Sequence, residues 1–311
     1  MSFGAETRAD FVLLLGNDVS LNILMHLNDP VDVVCAGAVS HLWRQFVVTN
    51  GISKQLCLRK FPQLLRIARI TEPDLRVAEG KDDESSSSSW ETLKRDHNVY
   101  ASLLQAIGTS KSCLSDCIGS AVSASSTDNY PEESIVNTLT PGNRYQNMPS
   151  YWSSIGHSDS NAMETLIYKL KADLCVITEI NIQPFEVYFH LGKPICSAKS
   201  VRFRLGHLKS SIDKSDLRHG DKFLWTYTSE EFPMRQENRL QQFKLPEPVL
   251  CIGGYLLIEL LGIAQICDID NLFYICIRHV KVRGRPLSPT FGVQNVEPSG
   301  DFVLKYRREV L

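Results

Sequence analysis

Residues 17–51 run NDVSLNILMHLNDPVDVVCAGAVSHLWRQFVVTNG. Apolar side chains recur through them at steps of three and four, the spacing of a helix face. Asn17 or Asp18 is placed to cap a first helix through Leu27, with acid at the positive end of the dipole. Val19, Ile23, Leu24 and Leu27 fall on one face, while Leu21 and Met25 extend apolar surface onto another. Asp29-Pro30-Val31-Asp32 opens a second helix, with Asp29 as N-cap and Pro30 at the first helical position. Val31, Val34, Cys35, Ala38, Val39 and Leu42 follow as its apolar face. Ser40 caps a third, with Trp43, Phe46 and Val47 inward and Asn50-Gly51 at its end.

Three helices this short bury too little surface to stand alone without a metal, disulfides or a partner. The stretch holds no metal-ligand spacing. Its surplus apolar side chains, each contributing about 1.5–3 kcal/mol when buried, therefore predict an interface. Packing against the rest of the chain uses the same surface, and composition alone favours neither.

Beyond the helices, KDDESSSSS (Lys81–Ser89) reads as a linker, because charge and serine bury too little apolar area to offset ordering entropy. Trp90, Leu93, His97, Tyr100, Leu104 and Ile107 then mark one short helix. From about Ser112 the period changes to two. Phe185-Val187-Phe189-Leu191, Val201-Phe203-Leu205 and Leu256-Ile258-Leu260 alternate with polar or outward residues. Further strands are expected over 164–170, 175–183, 223–228, 240–245 and 272–283. The last changes phase between Ile277 and Val280, which predicts a β-bulge near Arg278-His279. Seven or eight strands without intervening helices predict an antiparallel sandwich or jelly roll. The fold class is thus multidomain α and β, with the tail after Pro289 unassigned.

With 311 residues, 43% of them hydrophobic, and a formal net charge of −2, no global field draws nucleic acid or anionic lipid. The longest apolar run, Val249 to Ile258, is broken by Gly253-Gly254, well short of the ~20 residues a membrane span needs. The opening MSFGAETRAD lacks the order of a secretory signal. Nine cysteines without framework spacing predict reduced thiols and a cytoplasmic or nuclear location.

Ligand-binding candidates in the strand-rich part lie in the loops 143–148, 157–161, 207–221 and 228–238. Trp152 is placed either to stack on a sugar or to fill the core beneath a loop, and the core is the commoner fate. His157, Asp159 and Asn161 offer polar ligands, although turn chemistry explains the same residues. Cys113 and Cys117 form a pair without the second pair that zinc requires, so no metal or cofactor is expected. The sequence shows no nucleophile elbow, phosphate loop or zinc-protease helix, and no catalytic residue is assigned.

Leu15-Gly16-Asn17-Asp18-Val19, Ile23-Leu24, Leu27-x-x-Pro30-x-Asp32-Val33-Val34 and Val39-Ser40-x-x-Trp43-Arg44 together resemble the F-box, over residues 10–62. Gly16 stands where that family usually has Pro, and Ile52-Ser53 where it has Leu-Trp. The resemblance implies docking on a Skp-type adaptor, and through it on a cullin-RING ubiquitin ligase, by way of Leu15, Val19, Ile23, Leu24, Leu27, Pro30 and Val34. Residues 112–287, from Ala121-Val122-Ser123-Ala124 through Tyr151-Trp152-Ser153-Ser154 to Val280-Lys281-Val282-Arg283-Gly284, resemble the galactose-binding-like (discoidin-type) sandwich. The whole is similar to a plant F-box family carrying this sandwich, with 63–111 as linker and 288–311 as tail. What the resemblance implies is a non-catalytic SCF adaptor that captures a target protein. A lectin-like glycoprotein binder is the alternative, and a sugar-active enzyme a more distant one.

Overall fold

The computed structural model describes residues 10–27, 29–72, 87–108, 114–141, 150–190, 192–209, 220–296 and 301–307. The chain forms two compact units, one to Ser110 and one from Lys111.

The first unit is helical: α1 (Phe11–Leu14), α2 (Asn17–Met25), α3 (Pro30–Ala38), α4 (His41–Thr49) and α5 (Ile52–Lys60), followed by a short strand, β1 (Ile67–Thr71), and α6 (Ser87–Gly108). The expected caps hold at two starts. Asp29 accepts a hydrogen bond from Val31 N at 2.9 Å, and Ser40 Oγ from Trp43 N at 3.2 Å. At α2 the cap position is Gly16, with no side-chain bond, and Asn17 and Asp18 already lie inside the helix. Arg59 reaches back from α5 to the carbonyls of Met25 and Leu27, satisfying acceptors that the end of α2 leaves open.

The region after residue 62 departs from a linker with one short helix. Residues 81–86 lie outside the described residues, but Ser87–Ser89 form the first turn of α6, which runs for 22 residues. Val99, Tyr100, Leu103, Leu104 and Ile107 of α6 are buried, and α6 packs against α3, α4 and α5. This helix supplies the apolar area that three short helices lack.

The second unit is a sandwich of two antiparallel sheets. Its strands are β2 (Ser115–Asp116), β3 (Ile118–Ala124), β4 (Trp152–Ser153), β5 (Met163–Leu170), β6 (Leu174–Glu186), β7 (Ile195–Cys196) and β8 (Ala198–Leu208). Then follow β9 (Phe223–Thr228), β10 (Phe232–Pro233), β11 (Gln241–Ile252), β12 (Tyr255–Ile263) and β13 (Cys276–Pro286). One sheet runs β10-β8-β12-β5-β3 with β9 on β8; the other runs β11-β6-β13-β2, with β4 on β13 and β7 on β6. Ile177, Ile180 and Ile182 of β6 meet Val201, Phe203 and Leu205 of β8 and Leu256, Ile258 and Leu260 of β12 in one core. The register of β13 shifts between Ile277 and His279, so Ile275, Ile277, Val280 and Val282 all reach that core.

Gly253 and Gly254 carry the chain from β11 in one sheet to β12 in the other, at φ +91° and +71°. A Cβ on Gly253 would sit 2.1 Å from Cβ of His207, so only glycine fits this corner. The expected strand over 185–191 stops at Glu186, where the chain turns through residues 187–190. The tail left unassigned pairs as a hairpin, β14 (Phe291–Val296) with β15 (Asp301–Tyr306).

Candidate functional site

On the helical unit the two sides of α2 separate cleanly. Leu24 is 3% exposed and belongs to the unit's core, whereas Ile23, one residue earlier, is 42% exposed. Leu15 and Val19 are exposed with Ile23, and Leu27 is half-buried. The inward residues of α3 are Val33 and Ala36; Val31, Val34, Val39 and Leu42 of the expected apolar face are open to solvent. Pro30 is half-buried, and a Cβ on Gly108 would come within 2.7 Å of its ring. Of the seven residues expected to dock a partner, four are therefore exposed (Leu15, Val19, Ile23, Val34), two are half-covered, and Leu24 is a folding residue. Both sides of α2 are apolar, so periodicity marks the helix but not its outer face.

In the sandwich the expected ligand residues do not converge on a site. Trp152 is fully buried, its indole N–H donating to Ser126 O at 3.0 Å. His157 Nε2 lies 2.6 Å from the buried Glu164, whose carboxylate also accepts from the hydroxyls of Ser125 and Ser126. Asp159 Oδ1 accepts from Asn161 N at 2.8 Å, an Asx turn. These residues hold a loop in place. The 143–148 loop and Cys113 lie outside the described residues, as does 210–219 of the 207–221 loop.

A cavity of about 240 Å³ opens instead between the segments 128–133, 151–153, 187–190 and 267–276, with Cys196 of β7 beside them. The Tyr151 ring stacks on Phe185, with centroids 3.9 Å apart, and its hydroxyl donates to Glu133 Oε1 at 2.7 Å. Burial, then that bond, drives the Tyr151 hydroxyl well above the usual phenol range. The Tyr274 hydroxyl donates to Asp270 Oδ2 at 2.6 Å; this bond holds the Asp270 carboxyl below its ordinary value and raises the tyrosine. Cys196 and Cys276 line it as well, and the adjacent Cys196 thiol, then burial, raises the Cys276 thiol well above its ordinary value. Phe189, 57% exposed, and Ile269 stand at the rim.

Each carboxylate named here is engaged by a tyrosine, so the cavity offers aromatic faces and fixed polar atoms, an arrangement for binding. Sequence reasoning missed it for two reasons. Alternation continued through Val187 and Phe189, masking a turn as strand, and Tyr274 fell within an expected strand that begins only at Cys276.

No protein-family profile matches the sequence. An F-box protein of Arabidopsis thaliana is 49% identical over 310 residues, covering 95% of this chain and 81% of the relative. Among solved structures, a family 32 carbohydrate-binding module of Clostridium perfringens NanJ in complex with galactose is 11% identical, with a TM-score of 0.34. That match covers 53% of this chain and 98% of the module. Allantoicase from Saccharomyces cerevisiae is 15% identical with a TM-score of 0.40, covering 60% of this chain and 53% of the enzyme.

Proposed function

The chain belongs to the F-box proteins, and from that membership we propose that it is the target-selecting subunit of an SCF-type ubiquitin ligase. The helical unit docks a Skp-type adaptor and, through it, a cullin-RING assembly. The sandwich captures the protein to be modified. Ubiquitin transfer is performed by other subunits, and this chain contributes proximity by raising the target's effective concentration at the charged partner. Free thiols such as Cys35, Cys57 and Cys117 fit a reducing compartment, cytoplasm or nucleus. No described helix is long and apolar enough to cross a membrane.

The observation carrying this reading is the apolar side chains that the helical unit leaves uncovered on α2 and α3, in particular Val19, Ile23, Val31 and Val34. A soluble unit rarely bares such residues without a partner to cover them. The test is co-purification of the full chain with a Skp-type adaptor. Ile23→Asp and Val34→Asp should each abolish capture while leaving circular dichroism unchanged, because a charge is desolvated in an apolar contact. Capture undiminished in both variants would overturn the assigned surface.

The cavity favours a second reading of what the sandwich holds. Tyr151, Phe189 and Tyr274 beside Glu133 and Asp270 suit a polyhydroxylated ligand, and so a glycosylated target. Saturable glycan binding lost in Tyr274→Ala would favour it; a glycan array without a specific signal would remove it.

A further inference from the structure

The cavity beside Tyr151 is one-sided in charge. Asp128, Glu133 and Asp270 line it, and no lysine or arginine does. Its one basic side chain is His190, whose Nδ1 lies 3.9 Å from the Cys267 thiol. The donors that reach the three acids are neutral. Glu133 Oε1 accepts from the Tyr151 hydroxyl, Asp270 from Leu272 N at 3.0 Å and the Tyr274 hydroxyl, and Asp128 Oδ2 from the Asn129 amide at 3.4 Å. Glu133 is the deep one, 9% exposed, and its Oε2 meets no donor among the described residues. A carboxylate has about four acceptor sites, so each acid keeps room for a further donor. No positive charge acts on the neighbouring tyrosines either: burial and then Glu133 raise Tyr151, while the Asp270 bond, then burial and Asp128, raise Tyr274.

We propose that this cavity takes the guanidinium of an arginine side chain carried by the target protein. Burying a carboxylate without a counterion is costly, and a cation beside Glu133 offsets that cost, whereas a neutral glycan leaves it standing. A guanidinium presents a flat fork of donors to several carboxylate oxygens and lies against aromatic faces such as Tyr151, Tyr274 and Phe189. The lysine ammonium is a strongly hydrated point charge and gains less from those faces. Phe189 and Ile269 at the rim, 57% and 75% exposed, are apolar surface that a free small cation leaves bare and residues flanking an arginine cover. That the carrier is a protein rests also on the reading of the sandwich as the target-capturing part; the cation chemistry stands on the cavity itself.

The test uses the full chain and a fluorescent peptide pool with uncharged degenerate flanks around a central arginine. The controls are the same pool with citrulline, which keeps the shape without the charge, the same pool with lysine, and free arginine amide. The arginine pool should bind about tenfold or more tightly than the citrulline pool, since the bonds between charged groups are lost, and more tightly than the lysine pool. Glu133→Gln, which keeps an acceptor for Tyr151, and Asp270→Asn, at an exposed position, should each lose about tenfold. Both variants should still co-purify with the Skp-type adaptor, which separates this result from the docking surface. Arginine binding by a chain that captures no adaptor would support the cavity and count against the ligase reading alone. Equal binding of the arginine and citrulline pools, lysine binding as tight as arginine, or unchanged binding in both variants overturns the proposal. Free arginine amide that binds as tightly as the arginine pool overturns the protein carrier.

Discussion

Single side chains decide whether the helical unit folds, and adjacent ones can have opposite jobs. Leu24 is sealed in the core, so Leu24→Ala should cost about 2–5 kcal/mol by chemical denaturation, far more than Ile23→Ala at an exposed position. His97 adds a dependence on pH. Its ring nitrogen Nδ1 lies 3.4 Å from Ser53 Oγ, and burial, then the Arg44 charge, lowers its pKa below the ordinary 6.5. The unfolded chain therefore binds a proton that the folded unit refuses. Stability from this group is fully present above the unfolded pKa and is lost progressively as the pH falls from there down through the lowered folded pKa. Thermal midpoints should drop on acidification through the ordinary histidine range, and His97→Gln, which cannot ionise, should flatten that drop. An unchanged slope in the variant would exclude His97 as the source.

At the scale of elements, the local chemistry of caps and turns was legible where the side chains themselves do the work. Asp29 with Pro30, and Ser40, announced α3 and α4 because the hydrogen bonds they make are two or three residues away. Asp29→Ala should accordingly cost about 1 kcal/mol, read as a shift in the denaturation midpoint and as faster amide exchange in the first turn of α3. The phase change in β13 also predicted its bulge. What failed needed knowledge of the third dimension. Alternation through Phe189 looked like strand, although the chain had turned to form a cavity rim. In β15, Phe302, Val303 and Leu304 are buried in succession, so no period of two was there to find. The cavity gathers residues from five separate segments, each unremarkable in isolation, while His157, expected to meet a ligand, is bonded to Glu164.

At the scale of the molecule, the thiols among the described residues lie almost entirely inside. Cys35 is exposed, while Cys57, Cys117, Cys175, Cys196, Cys251, Cys267 and Cys276 are buried. Burial pushes Cys57 and Cys251 up to about 12, far from the thiolate that alkylating reagents attack. Brief alkylation of the native protein, read by peptide mass spectrometry, should mark Cys35 at once and these seven only after denaturation. Rapid labelling of Cys57 or Cys251 would contradict the packing around them. The bare hydrocarbon of Ile23, Val31 and Val34 has a practical outcome of its own. Produced by itself and concentrated, this polypeptide should self-associate and precipitate, and yields should rise when a covering protein is made in the same cell.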